Sequence, residues 1–208
     1  MDKEYKNRSE FIKELNYYLP REGRGVEIGV YKGEFSKEIL ENWEGTLYMV
    51  DVWRSLGDEY IDSSNHKFHS DILEETMKNI QGHEDRGIIV RATSKIASEI
   101  FPDESLDFVY IDANHSYDFV KEDINLWFPK LKKRGLFCGH DYMGLDWYND
   151  SNFLPNGKDK HIWTMTYEGD PYYNGIFGVN PAVDEFFEKN KLKLNVIKEW
   201  FGTWWTIK

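Results

Sequence analysis

Short apolar runs alternate along this chain with longer stretches in which apolar residues return every three or four positions. The runs are Gly25-Val26-Glu27-Ile28-Gly29-Val30, then TLYMVDV over 46–52, GIIV within 86–90, LDFVYI over 106–111 and GLFC over 135–138. Runs of this length, rich in β-branched and aromatic residues, predict buried strands. The stretches between them predict helices over 34–43, 66–80, 94–101 and 116–132. The last of these carries Phe119, Val120, Ile124, Trp127, Phe128 and Leu131 on one stripe. An amphipathic helix over 3–19 precedes them all, with Phe11, Ile12, Leu15 and Tyr18 at helical spacing and Pro20 beyond its end.

Five strand-to-helix alternations predict right-handed βαβ units and a parallel sheet covered on both faces. The last third departs from this rhythm. A strand at 176–179 and a helix at 181–189 lead to two strands near 194–199 and 203–207, with Gly202 between them as a hairpin signal. The expected fold is thus an α/β three-layer sandwich with a seven-stranded, mostly parallel sheet and a C-terminal antiparallel hairpin. Residues 141–175, rich in Gly, Asp, Asn, Tyr and Trp, show no period and read as a functional loop.

With 208 residues the chain fits one domain over 1–208. One cysteine, Cys138, rules out an internal disulfide framework and suits a reducing, cytoplasmic compartment. The charged start, MDKEYKNRSEF, lacks the apolar stretch of a signal peptide, and no apolar run is long enough to span a membrane. Twenty-six basic against 37 acidic residues give a formal charge of −11. That balance argues against a nucleic-acid partner, whose phosphates are bound chiefly by Lys and Arg.

In an open α/β sheet, ligands bind beyond the carboxyl ends of the strands. Here those ends carry Glu27, Asp51, Asp112 and the pair His140-Asp141. So many carboxylates at one edge repel each other unless a ligand or cation offsets them. Gly29 and Gly33 permit a tight turn and a close backbone approach. No G-x-G-x-x-G follows the first strand, which disfavours a dinucleotide. Glu27 suits a cationic amino group rather than a pyrophosphate. Asp51, about twenty residues past the turn, stands where a carboxylate accepts ribose hydroxyls. Asp112, His140 and Asp141 lie at the ends of strands that would be neighbours. Carboxylates suit Mg²⁺, Mn²⁺ or Ca²⁺, and an imidazole shifts the preference toward Mn²⁺.

The segments VEIGVYKGEFS, YMVDVW, RATS and FVYIDANHSYDFVKEDINLWFPKLKKRGLFCGHDY together resemble class I S-adenosylmethionine-dependent methyltransferases. The branch most similar is that of the macrocin-type sugar O-methyltransferases, with catechol O-methyltransferase more distant. The resemblance implies a Rossmann-like fold and S-adenosylmethionine as cofactor. It places Glu27 at the methionine amino end, Gly29 and Gly33 where room is needed, Tyr31 at the flank and Asp51 on the ribose. It sets Ala92, Thr93 and Ser94 beside the adenine, with Asp112 adjoining the cofactor. It further implies a divalent cation, Mg or Mn, on Asp112, His140 and Asp141, and His115 as general base with Asp112 beside it.

The acceptor implied is a sugar or glycan hydroxyl. A phenolic or other small-molecule diol is the alternative, with residues 141–175 as the acceptor lid. A NAD-dependent sugar-nucleotide enzyme, an iron hydroxylase built on the same acids, and a non-catalytic binding module are the rival readings. A homo-oligomer and a larger multidomain enzyme are both compatible settings.

Overall fold

The computed structural model describes residues 4–54, 69–142, 153–155, 163–165, 175–199 and 201–208. Seven strands form one sheet in the order β3-β2-β1-β4-β5-β10-β9. Its parallel part comprises β1 (Arg24–Ile28), β2 (Thr46–Asp51), β3 (Gly87–Arg91), β4 (Leu106–Ile111) and β5 (Leu131–Tyr142). β10 (Gly202–Ile207) runs antiparallel to β5, and β9 (Asn195–Ile197) antiparallel to β10. This is the expected Rossmann-like sandwich, hairpin included. The strand order reverses between β1 and β4, and the crevice at such a reversal is where this architecture takes its ligands.

Alternation along the strands builds two cores. On one face Val26, Ile28, Val109, Ile111 and Phe137 meet Ala97 and Phe101 from the α5 region, α6 and α7. These helices are α5 (Ser94–Ser98), α6 (Tyr117–Trp127) and α7 (Val179–Asn190). On the other face Met49, Phe108, Tyr110, Leu136 and Cys138 meet α1 (Arg8–Ile12), α2 (Leu15–Tyr18) and α3 (Glu34–Asn42). The central strand β4 is buried along its whole length. α4 (His69–Asn79) lies beyond α3, and residues 66–68 of the expected helix fall outside the described residues. No helix among the described residues is long and apolar enough to cross a membrane.

Four local expectations are corrected. The N-terminal helix is two helices. The Lys13 N–H bonds back to Ser9 and the Glu14 N–H to Phe11 at 3.0 Å, a three-residue closure that tightens the chain and ends α1. Phe11, Ile12 and Leu15 are nonetheless all fully buried, so both pieces use one apolar face. The helix expected over 116–132 ends at Trp127. Pro129 follows in a 3₁₀ turn, Phe128–Lys130, because a proline inside an α-helix has no N–H to give. β5 is longer than GLFC, beginning at Leu131 and passing Arg134 at φ +67°. Val179, expected in a strand, opens α7; the strand before it, β8, ends at Phe177.

The aperiodic segment also contains regular structure. β6 (Phe153–Pro155), β7 (Trp163–Met165) and β8 (Gly175–Phe177) form a separate three-stranded antiparallel sheet. The remainder of the acceptor-lid segment after Tyr142, with Trp147, Tyr148, His161, Tyr167, Tyr172 and Tyr173, lies outside the described residues.

Candidate active site at the strand reversal

The crevice starts from a turn that three left-handed residues bend. Gly29, Tyr31 and Gly33 have φ of +87°, +53° and +76°. A Cβ on Gly29 would stand 2.0 Å from the carbonyl oxygen of Asp112, so only glycine lets β1 and β4 approach there. Tyr31 is not a glycine, and its conformation is held from both sides. Its N–H donates to Asp51 Oδ2 at 2.9 Å, and its carbonyl accepts from Trp53 Nε1 at 2.9 Å and Thr76 Oγ1 at 2.7 Å. Its ring is exposed.

Asp51 is the organiser of that turn. Oδ2 accepts from the Val30 N–H at 3.0 Å as well as from Tyr31, and Oδ1 accepts from the Trp53 N–H at 3.0 Å. Oδ1 keeps acceptor capacity, since each carboxylate oxygen offers two lone pairs. Glu27 lies level with Met49 on one side and Tyr110 on the other, and only 1% of it is exposed. Ser36, buried on the inner side of α3, donates its hydroxyl to Glu27 Oε2. Burial pushes the Glu27 carboxyl up to about 8; Asp112 and Asp51 add to the rise, while Ser36 and Arg8 oppose it.

At the end of β3, Ala92 donates its N–H to the carbonyl of Asp51 at 3.1 Å, and Thr93 caps α5 through its hydroxyl. The Ser94 hydroxyl is engaged in the interior. It donates to Asp123 Oδ1 and accepts from Trp127 Nε1 at 2.8 Å. Burial raises the Asp123 carboxyl to about 7, opposed by the Ser94 hydrogen bond.

Across the crevice, the ends of β4 and β5 bring Asp112, His115, His140 and Asp141 together. Asp141, itself left-handed at φ +62°, is 7% exposed. His115 Nε2 lies 2.8 Å from Asp141 Oδ2 and 3.7 Å from Asp112 Oδ1. His140 Nδ1 lies 3.3 Å from Asp141 Oδ2 and 3.8 Å from Asp112 Oδ2. Burial alone would raise the Asp141 carboxyl, but the charges and hydrogen bonds of His115 and His140 hold it well below the usual carboxylate range. Asn114 shapes the loop by accepting from the Ser116 N–H at 2.9 Å, and the His115 carbonyl accepts from Gly178 N–H at 2.7 Å. The donor set suits a hard or borderline divalent cation. The group whose ligand atoms all lie within 4.8 Å of one another is Asp112, His115 and Asp141, so His115 joins the acids more closely than sequence order suggests.

Two contributors escape sequence reading. Ser36 left a faint signal, a hydroxyl on the apolar side of an amphipathic helix. Arg8 left none. Its Nη1 stands 3.6 Å from Asp112 Oδ2 and its guanidinium lies 4.6 Å over the Phe35 ring, contacts made by residues about a hundred and by 27 positions away in the chain.

A crevice at a 3-2-1-4-5 strand reversal, with an acid near the end of the first strand and another ending the second, defines the class I methyltransferase type of nucleotide-binding fold. The sequence model of the methyltransferase domain family matches residues 26–142, more than half of the chain, and the chain belongs to that family. A Sinorhizobium fredii protein, y4gI, of uncharacterised function, is 30% identical over 126 residues; the chain spans 13% of its length, and the match covers 58% of the chain. Among solved structures, a Staphylococcus aureus protein described as a caffeoyl-CoA O-methyltransferase superposes with a TM-score of 0.65 at 14% identity, covering 97% of this chain and 82% of that one. A Bacillus cereus O-methyltransferase in complex with SAH (S-adenosylhomocysteine) gives 0.62 at 14% identity, covering 96% and 80%. These similarities carry the fold.

The Glu27 carboxyl generates a pH test. Its folded value lies above the ordinary 4.5, so the folded chain holds that proton more tightly than the unfolded one. This contribution to stability is complete below about 4.5 and disappears as the pH rises to about 8. In urea unfolding, Glu27→Gln should flatten the fall of stability across that interval. An unchanged slope would show that Glu27 is not the group titrating there.

Proposed function

We propose that the protein transfers a methyl group from S-adenosylmethionine to a hydroxyl oxygen, with His115 as general base. The observation that carries this reading is the 2.8 Å contact of His115 Nε2 with Asp141, opposite the Glu27–Asp51 side of the same crevice. The fit to the cofactor rests on two structural features. Glu27 is a buried acid that keeps its proton because no full counterion faces it, and an amino acid's ammonium group would supply that counterion. Gly29 brings the end of β1 against the Asp112 backbone, which sets Glu27 and Asp112 on neighbouring strands at one edge.

In this reading Glu27 holds the ammonium group, Asp51 Oδ1 faces the ribose, and the turn from Gly29 to Gly33 lies under the cofactor with Tyr31 at its edge. Ala92 and Thr93 border the adenine. When bound, S-adenosylmethionine supplies an electrophilic methyl whose departure leaves a neutral thioether, so the leaving group needs no acid. The chain's task is to deprotonate and aim the acceptor oxygen. The Asp141 carboxylate, 2.8 Å from His115 Nε2, favours the imidazolium that forms when His115 takes the proton.

The acceptor we propose is a hydroxyl of a sugar or glycan, with a phenolic or other small-molecule diol as the alternative. Support comes from the aromatic-rich sequence of 141–175. One end of it is fixed at Asp141, and Gly178, just past the other, is hydrogen-bonded to the His115 carbonyl.

A second reading of the acids is favoured by the 4.8 Å grouping of Asp112, His115 and Asp141. These residues, with His140 adjoining, would hold a divalent cation such as Mg²⁺ or Mn²⁺. Such an ion supplies Lewis acidity that lowers the pKa of an acceptor hydroxyl.

Two experiments separate these roles. His115→Ala should lower kcat by about 10²- to 10⁴-fold and remove the rising limb of the pH–rate profile. A profile with that limb intact would remove the base assignment. Methyl transfer to a panel of sugars and catechols should be lost in EDTA and restored by Mg²⁺ or Mn²⁺ if the acids hold a cation. Full activity in EDTA, with Asp112→Ala still active, would remove the cation.

A further inference from the structure

The proposed cofactor ends in an amino acid, which brings a carboxylate along with its ammonium group. Placed among Glu27, Asp51 and Asp112, that carboxylate needs a cationic partner. Arg8 is the one arginine or lysine that pairs with Asp112 among the described residues. Its charge also acts on Glu27, pulling that carboxyl back toward its ordinary range.

Arg8 is anchored rather than loosely exposed. It is the first residue of α1, which Asn7 caps by accepting from the Glu10 N–H at 2.9 Å. Its backbone N–H donates to Glu199 Oε2 at 3.1 Å, and Glu199 Oε1 in turn accepts from Thr203 Oγ1 at 3.0 Å. The guanidinium rests 4.6 Å over Phe35, whose ring lies 4.5 Å from that of Tyr110. At 3.6 Å the Asp112 contact exceeds hydrogen-bond length, so it consumes none of the fork of donors that suits a carboxylate.

Tyr110 supplies an independent sign of a missing partner. It is fully buried and level with Glu27 on the same face of the sheet. Its hydroxyl is close to Arg8 and Thr203 but meets neither at hydrogen-bonding geometry. Buried hydroxyls in folded proteins find a partner in protein, water or ligand. Burial keeps this one protonated and therefore able to donate.

We propose that Arg8 is a cofactor-binding residue that clamps the methionine carboxylate of S-adenosylmethionine, with the Tyr110 hydroxyl as a second donor. The inference rests on the cofactor reading above and extends it to the N-terminal helix. In it, α1 completes the cofactor site, and Glu27 and Arg8 read the two ends of a zwitterion from opposite sides.

Calorimetry with two ligands tests this. S-adenosylhomocysteine carries the carboxylate; its decarboxylated analogue, S-adenosyl-3-thiopropylamine, keeps the ammonium group and the nucleoside. Wild type should favour the first by about 10- to 100-fold, the range of one charge-assisted pair. Arg8→Gln should abolish that preference while binding the decarboxylated analogue as wild type does. Tyr110→Phe should lose a smaller part of it, and Arg8→Lys should retain a part. Equal affinity of wild type for both ligands, an undiminished preference in Arg8→Gln, or equal weakening of both ligands in that variant would overturn the clamp and leave the cofactor reading standing. Failure of wild type to bind either ligand would overturn the cofactor reading, and the clamp with it.

Discussion

The approach of β1 to β4 at Gly29 is the constraint on which the rest of the structure depends. There the chain turns at φ +87° against the backbone of Asp112, with no space for even a methyl group. That contact sets the Gly29–Gly33 turn under the crevice. It places Glu27 and Asp112 on the two sides of the strand reversal and opens α3 so that Ser36 reaches Glu27. An alanine at this position would need both a disfavoured backbone conformation and the separation of two central parallel strands.

Gathering acids at one sheet edge is unfavourable, and the fold meets the difficulty differently at each. Glu27 is buried and holds its proton, with its carboxyl pushed up to about 8. Asp51 is surrounded by three backbone N–H donors. Asp141 stays charged because two histidines face it. Asp112 faces Arg8 on one side and the histidines on the other. On the proposed reading, these solutions divide the edge into a side for a cationic group at Glu27 and an acid–imidazole side at Asp141. Methyl transfer from a zwitterionic sulfonium donor to a hydroxyl asks for that division.

Much of this was legible in the sequence because it is local. Strands such as LDFVYI announce burial on both faces, and in a parallel sheet each strand's last residue falls at the same edge, so Asp51, Asp112 and Asp141 were legible as members of one rim, with Asp112 and Asp141 on neighbouring strands. Glycine spacing gave the turn. What was illegible depends on distant packing. Arg8 is positioned by its contacts with Phe35 and Asp112, and no local pattern marks it. The split of the first helix at Glu14 follows from packing that keeps Phe11, Ile12 and Leu15 on one face. Pro129 did announce the end of α6, but the apolar stripe running through Leu131 masks that signal. The small sheet of β6, β7 and β8 arises from three-residue strands, too short for a period of two to stand out.

A crystal structure with S-adenosylhomocysteine tests the central claim most directly. Its amino group is expected within hydrogen-bond distance of the Glu27 carboxylate, with the ribose hydroxyls at Asp51 and the nucleoside crossing the Gly29 turn. Ligand density outside the β1–β4 crevice, or bound ligand with Glu27 and Asp51 untouched, would contradict it.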